Sequence, residues 1–167
     1  MYYFKDSLTI WEGHNDTIKR ISKDMKVTNR FILDLDKLKM PDFIKGGPRN
    51  PEYRDFANKH IIIHDIVESE DFIFIKCFDR GIFKYVLYDK MKKEGYTLNG
   101  KFPDNIDNFI DFFSDGITTE GLLYDIVQAS LLEGFHVKDR SKNLEIGQLI
   151  DNTSINDNPI IRIVKTR

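Results

Sequence analysis

The segment that most constrains the fold is residues 71–90, DFIFIKCFDRGIFKYVLYDK. Two runs rich in β-branched and aromatic residues, which favour extended strands, flank the tripeptide Asp79-Arg80-Gly81. Glycine lets the backbone reverse in a tight turn, so the pattern predicts a β-hairpin. Hairpins of this kind, repeated along a chain, build all-β repeat folds. The segment itself carries no catalytic motif.

Other stretches predict further strands, in which apolar residues tend to recur at every second position, as in half-buried antiparallel strands. Residues 27–35 are one case, with four apolar residues predicted on one face: Val27, Phe31, Leu33 and Leu35. Strands are also predicted at residues 2–11, 17–22, 60–68, 92–98 and 160–166. Consecutive antiparallel strands joined by tight turns form four-stranded meanders.

The length of 167 residues predicts one domain that spans residues 1–167. Residues 37–57 interrupt the strand pattern because prolines and glycines are concentrated there: Pro41, Gly46, Gly47, Pro48 and Pro51. We expect this segment to be a long crossover loop on the surface between two sheets.

The C-terminal part of the chain is ambiguous between helix and strand. Residues 102–116 place four apolar side chains at helical spacing: Ile106, Phe109, Ile110 and Phe113. Residues 121–133 fit either a buried strand that passes into a helix or a single helix, and residues 141–151 predict a short helix. The predicted fold class is all-β, mainly antiparallel four-stranded meanders, with one or two short helices near the C-terminus.

Composition argues against several functional classes. The net charge is −2, and Lys and Arg are interspersed with Asp and Glu, so no electrostatic footprint for nucleic acid is predicted. No stretch approaches the roughly 20 apolar residues of a membrane-spanning helix. The N-terminus lacks the basic and apolar regions of a signal peptide, so we expect no export signal in this chain.

Few residue patterns suggest chemistry. His60 and His64 have the spacing of a helical zinc site, but on a strand their rings would be about 13 Å apart, too far for joint ligation. Cys77, the single cysteine, is expected to be a small buried side chain. One acidic set lacks the ligand order of a calcium loop: Asp104, Asp107, Asp111 and Asp115. We predict no catalytic residue, metal or cofactor.

One turn is a candidate for ligand binding. Trp11, His14 and Asp16 surround it, and exposed aromatic and polar side chains on such a loop could bind a sugar or a peptide. The simpler interpretation, which we favour, is that Trp11 packs between sheets and Asp16 stabilises the turn.

Several short motifs, in order along nearly the whole chain, resemble the C-terminal half of a bacterial six-bladed β-propeller family of TolB-like and NHL-like envelope proteins. The motifs are Asn15-Asp16-Thr17-Ile18, the strand of residues 27–35 with Lys39-Met40-Pro41, Tyr88-Asp89-Lys90, residues 104–107, and Asn156-Asp157-Asn158-Pro159 with IIRIVK. The resemblance implies a partial β-propeller of about two to three blades, each blade a four-stranded sheet.

The resemblance also implies a function and a location. The first hypothesis is a non-catalytic binding or scaffold module of the cell envelope or periplasm, with a protein or glycan ligand. Terminal blades of an open half-ring expose apolar surface, so self-association through the exposed blades is expected. Two alternatives stay open: a stand-alone α+β interaction protein of the inhibitor or immunity type, and, less favoured, a propeller enzyme.

Overall fold

In the computed structural model the described residues are 1–44, 49–98, 100–103, 110–118, 120–133, 135 and 143–165, and they form three antiparallel sheets. The first sheet is a meander of four strands in sequence order: β1 (Tyr2–Phe4), β2 (Ser7–Ile10), β3 (Thr17–Ile21) and β4 (Val27–Ile32). The middle sheet is a second meander: β5 (Ile61–Glu68), β6 (Phe72–Asp79), β7 (Ile82–Asp89) and β8 (Glu94–Leu98). The third sheet has the order β11-β10-β9: β9 (Gly116–Ile117), β10 (Leu123–Val127) and β11 (Ile160–Val164).

Helices are few and short. α1 (Tyr53–Ala57) precedes the middle sheet, and α2 (Leu144–Asp151) lies between β10 and β11. Single 3₁₀ turns occupy Asp36–Leu38 and Ala129–Leu131. The predicted all-β class of antiparallel meanders with short helices is confirmed, and α2 is the helix expected near the C-terminus. A single sheet covered by long helices, which the α+β alternative required, is not the observed architecture.

The middle sheet is covered on both faces. Ile73 and Ile75 of β6 belong to one apolar cluster with Ile18 of the first sheet. Their neighbours Phe72 and Phe74 point the opposite way, because successive strand residues alternate between faces, and belong to a second cluster with Leu123 of the third sheet. The three sheets therefore stack face to face, in the order first, middle, third.

The predicted common face of residues 27–35 is partly wrong. Val27 pairs with Ile21 and Phe31 pairs with Ile18, and the register shifts between these two pairs. A β-bulge accounts for the shift, because it leaves one extra residue, Arg30, on β4. Val27 therefore points to the exposed face of the sheet while Phe31 points to the core.

The crossover segment has a small core of its own. Met40, Ile44 and Ala57 are buried together, with Tyr53 and Phe56 of α1 packed against them. Residues 37–44 and 49–57 are therefore more than a surface loop, because apolar side chains spaced along them anchor the segment to the domain. Gly46, Gly47 and Pro48 lie outside the described residues.

The ambiguous region resolves in favour of strands where it is described. Phe102 pairs with Phe112 in an isolated antiparallel bridge, so residues 102–103 and 110–116 do not form the suggested helix. Ile106 and Phe109 lie outside the described residues. Residues 121–133 follow the first of the two expected patterns, a buried strand, β10, that passes into a 3₁₀ turn.

Candidate functional site

The predicted ligand loop lies where the first sheet meets the middle sheet. Trp11 is half-buried and packs against the apolar cluster between these sheets, with its ring centre 6.1 Å from that of Tyr2. Asp16 forms an ion pair of 3.1 Å with Lys39 and accepts a hydrogen bond from the Thr17 hydroxyl. His14 has only a loose contact with Glu12, at 3.9 Å. The structure brings the three residues into one loop, but Trp11 and Asp16 are engaged in packing and pairing.

Gly13 explains why this loop sits so close to the middle sheet. Its carbonyl oxygen accepts a hydrogen bond of 2.7 Å from the Ile63 amide. A Cβ at this position would lie 2.8 Å from the Ile63 carbonyl oxygen, so only glycine fits without a shift. The loop therefore joins the first sheet to the middle sheet, and we call this contact between Gly13 and Ile63 the clamp.

The opposite end of the sheets holds a large cavity. In all three sheets the turn after the first strand contributes to it: Lys5-Asp6 after β1, Glu70-Asp71 near the end of β5, and Thr118 with residues 120–122 after β9. The volume is about 880 Å³. Because β1 and β5 each contact β9, the first strands converge, and their turns are presented together. We call this feature the turn cavity.

The polar lining of the turn cavity is partly paired across sheets. The Lys5 ammonium lies 2.6 Å from the Glu70 carboxylate and joins the first sheet to the middle sheet. Lys23 lies 3.0 Å from Asp6 within the first sheet. The Lys5 ammonium holds the pKa of Glu70 below its usual value. Both pairs are exposed, so solvent screens them and a ligand could displace them at low cost.

A buried carboxylate lies close to the turn cavity. Glu68, at the end of β5, is 1% exposed. Its oxygens accept hydrogen bonds of 2.6 Å from Arg30, 2.6 Å from Lys90 and 3.0 Å from the Tyr2 hydroxyl. The Arg30 guanidinium and the Lys90 ammonium also lie over the ring of Phe4, which lines the cavity, at 5.4 and 4.5 Å from its centre. One anion thus holds together three groups from the first and middle sheets.

The ionisation of this cluster follows from its geometry. Burial alone would raise the pKa of Glu68, but the hydrogen bonds from Arg30 and Lys90 and their positive charges outweigh burial and lower it. Burial and the adjacent Glu68 carboxylate raise the pKa of Tyr2. Glu68 is therefore the ionised acceptor and Tyr2 the neutral donor. The donors to Glu68 leave it no free oxygen to act as a base.

A second, smaller cavity of about 260 Å³ adjoins β1 and β9. Asp65 and Asp115 both line it, and burial raises the pKa of Asp65. Each carboxylate accepts a backbone hydrogen bond, Asp65 from the Ile66 amide and Asp115 from the Ile126 amide. The bond to Asp115 links the start of β9 to β10. Asp104 and Asp107 lie outside the described residues.

The described histidines and the cysteine do not line either cavity. His60 stacks on Phe56, and its Nδ1 lies 2.8 Å from the Phe56 carbonyl oxygen. The ring of His64 meets the ring of Phe83 edge to face. Among the described residues, no three His, Cys, Asp or Glu side chains are grouped to hold a metal ion. Cys77 is buried as predicted, and burial raises its pKa to about 11.

Sequence reasoning missed the turn cavity. The signal that could have found it is a repeated charged turn after the first strand of a sheet: Lys5-Asp6, Glu70-Asp71 and Glu120-Gly121. Lys5 and Asp6 both adopt positive φ, which marks a tight reversal. The convergence of these turns depends on sheet stacking, which local patterns do not encode.

The fold and cavities describe a class: a domain of stacked antiparallel meanders whose first-strand turns frame one cavity. The chain belongs to the family described as a domain of unknown function, DUF4934, whose model matches residues 1–165. No curated protein and no solved structure matches the chain. Within the described residues, no helix has the length and apolar character required to cross a membrane.

Proposed function

We propose that this chain is a non-catalytic binding or scaffold module, built as part of a β-propeller and suited to a protein or glycan ligand at the turn cavity. One observation carries the proposal: equivalent turns of three successive sheets meet at a single cavity of about 880 Å³. Concave sites that gather polar groups from several elements are the usual places where proteins bind ligands.

The chemistry of the lining supports binding over catalysis. The described residues that line the cavity include lysines, carboxylates, Thr118 and the rings of Tyr3 and Phe4, but no His, Cys or Ser. Two of the lysines are engaged in ion pairs with carboxylates. Such a surface offers hydrogen-bond donors, acceptors and aromatic faces, which suit sugar hydroxyls or a polar peptide. It offers no side chain poised as an activated nucleophile.

The propeller assignment rests on the resemblance together with the stacking. Four-stranded antiparallel meanders packed face to face, with first strands converging on one side, are the arrangement of blades around an axis. A location in the cell envelope is part of the same proposal, because the resembling proteins are envelope proteins.

The test is direct binding. The labelled chain is applied to an oligosaccharide array and to a peptide array, together with a D71A/E120A variant that removes two carboxylates from the turn cavity. The matched control is His14→Ala, on the loop at the other end of the sheets. We expect specific binding on one array, reduced at least tenfold in the cavity variant and unchanged in the control. Binding on neither array, or binding lost only in the His14 variant, would contradict the proposal.

A further inference from the structure

The outer face of the first sheet is largely apolar, with Lys19 and Asn29 as a polar pair between Val27 and Ile32. Tyr3, Leu8, Ile21 and Val27 pair in register across all four strands, so they form one continuous row on the same face. Val27 is 58% exposed, and Ile32 on the same face is 63% exposed. We call this surface the first outer face.

The third sheet has a corresponding face. Tyr124 pairs with Ile163, and Ile126 pairs with Ile161, so these four side chains point away from the middle sheet. Ile161 is 64% exposed and Ile163 is 57% exposed. We call this surface the third outer face.

The polarity of the third sheet is the reverse of what a solvent-facing sheet shows. A sheet with one face in water normally places polar side chains outward. Here Arg162 and Asp125 point inward, where they form a bidentate ion pair at 2.9 and 2.8 Å. The isoleucines next to them along the strands, Ile126, Ile161 and Ile163, point outward. An inward ion pair beneath an outward apolar face indicates a sheet built to be covered on both sides.

We infer that a second copy of this chain covers both faces, so that the first outer face of each copy packs on the third outer face of the other around a two-fold axis. The inference rests on the stacking that underlies the proposed function. Within the chain, the first sheet packs on the middle sheet and the middle sheet packs on the third. Packing of the third sheet on the first sheet of a partner repeats this order between copies. With two-fold symmetry, both outer faces of each copy are then covered.

The area is that of a weak specific interface. The smaller third sheet sets the limit: the 12 residues of β9, β10 and β11, at about 3.4 Å along a strand and about 4.8 Å between strands, give a flat footprint of about 200 Å². A two-fold dimer makes the contact twice and buries both partners, which gives about 800 Å² before the relief of the side chains is counted. That total lies close to about 1,000 Å², the lower bound for a specific interface, so we expect a dimer that dissociates on dilution.

The first experiment measures mass by light scattering at tens of micromolar. We expect the wild-type chain to have twice its chain mass of 19.7 kDa. Val27→Lys on the first outer face and Ile161→Glu on the third outer face should each reduce the mass to that of one chain. Both residues are exposed, so circular dichroism should show folded variants; if either fails to fold, Ile32→Lys and Ile163→Glu replace them.

Mixing the two variants identifies the mode of pairing. In the proposed dimer, a V27K chain and an I161E chain share one unaltered contact and one contact in which Lys faces Glu, so an equimolar mixture should regain the dimer mass. If first faces paired with each other, I161E alone would stay dimeric; if third faces paired, V27K alone would stay dimeric. Either result, or a wild-type monomer, or polymers longer than a dimer, would overturn the inference.

The array experiment separates this inference from the proposed function. A wild-type monomer that still binds its ligand at the turn cavity would remove the second copy and leave the binding function. A dimer with the expected mixing behaviour but no array binding would keep the interface and remove that function.

Discussion

The middle sheet and the two outer sheets use the same antiparallel meander under different packing demands. In the middle sheet, neighbouring residues of β6 point to opposite faces and both sets are apolar, because both faces are covered. In the outer sheets the described residues cover only one face, yet the other face also carries exposed apolar side chains such as Val27 and Ile161. The comparison teaches that the hydrophobic pattern reports how many faces must be covered, and not which molecule covers them.

The polar groups show the same contrast. The buried Glu68 cluster fixes the first sheet to the middle sheet, and the buried Asp125–Arg162 pair fixes β10 to β11. The pairs around the turn cavity are exposed instead. Buried pairs are costly to break because the surviving partner is left without compensation, whereas exposed pairs contribute little.

The largest expected effect comes from breaking the link between the first and middle sheets. Glu68→Gln leaves Arg30 and Lys90 without their shared anion, and the free energy of unfolding should fall by about 3–5 kcal/mol. Urea titration followed by fluorescence measures this loss. The matched control is Glu70→Gln, which removes a carboxylate that also pairs with a lysine but is exposed. Equal losses in the two variants would contradict the link.

Glu68 should also make the free energy of unfolding depend on pH in the acid range. The pKa of Glu68 in the folded chain is below its usual value of 4.5. Its contribution is therefore fully present above that value, and it is lost as the pH falls through the lowered folded pKa. Between pH 5 and pH 2 the wild-type chain should lose more stability than Glu68→Gln does. Parallel acid titrations of the two proteins would contradict this assignment.

The next effect compares a covered side chain with an uncovered one. Ile66 of the middle sheet is 1% exposed, and Ile66→Ala should lower the free energy of unfolding by about 2–5 kcal/mol. Ile163→Ala, the same change on the third outer face, should cost under about 1 kcal/mol in the separated chain. Thermal unfolding of the two variants in an I161E background, which keeps the chain monomeric, gives the comparison. Similar losses would mean that the third outer face is covered within the chain.

A smaller effect is expected at the clamp between the first and middle sheets. Gly13→Ala places a methyl group 2.8 Å from the Ile63 carbonyl oxygen, so the loop must shift, at a cost of about 1–3 kcal/mol. Gly95→Ala is the control, because a Cβ there meets nothing within 4 Å. Chemical denaturation of both variants measures the difference, and an unaffected Gly13 variant would show that the clamp is loose.

The smallest perturbation uses Cys77 as a reporter of the middle sheet. Its thiol is buried and its pKa is raised to about 11, so the reactive thiolate is scarce at neutral pH. Ellman's reagent should react with the native chain far more slowly than with the chain in denaturant. Equal rates would show that β6 is open to solvent.

Much of the fold was predictable because it rests on local patterns. The hairpin of residues 71–90 forms as β6 and β7, and the edge strand expected at residues 92–98 forms as β8. Turn glycine and period-two alternation determine such features with little tertiary information. The all-β class follows from them.

Other features depended on tertiary context. The bulge at Arg30 reverses the face of Val27, and the Arg30 side chain pairs with Glu68, 38 residues away. The interpretation that Trp11 packs between sheets is supported by its contacts, but the turn cavity depends on how three sheets stack. Contacts between residues that are far apart in the sequence cannot be inferred when each segment is analysed by itself.

The most direct test of the stacked arrangement is a nuclear Overhauser experiment that examines both faces of the middle sheet at once. The ring of Phe4 should show cross-peaks to the side chain of Lys90, whose ammonium lies 4.5 Å from the ring centre. The rings of Tyr85 and Phe113, with centres 4.6 Å apart, should show cross-peaks on the other face. Both sets together are the predicted result. A folded chain that shows only one set would contradict the account.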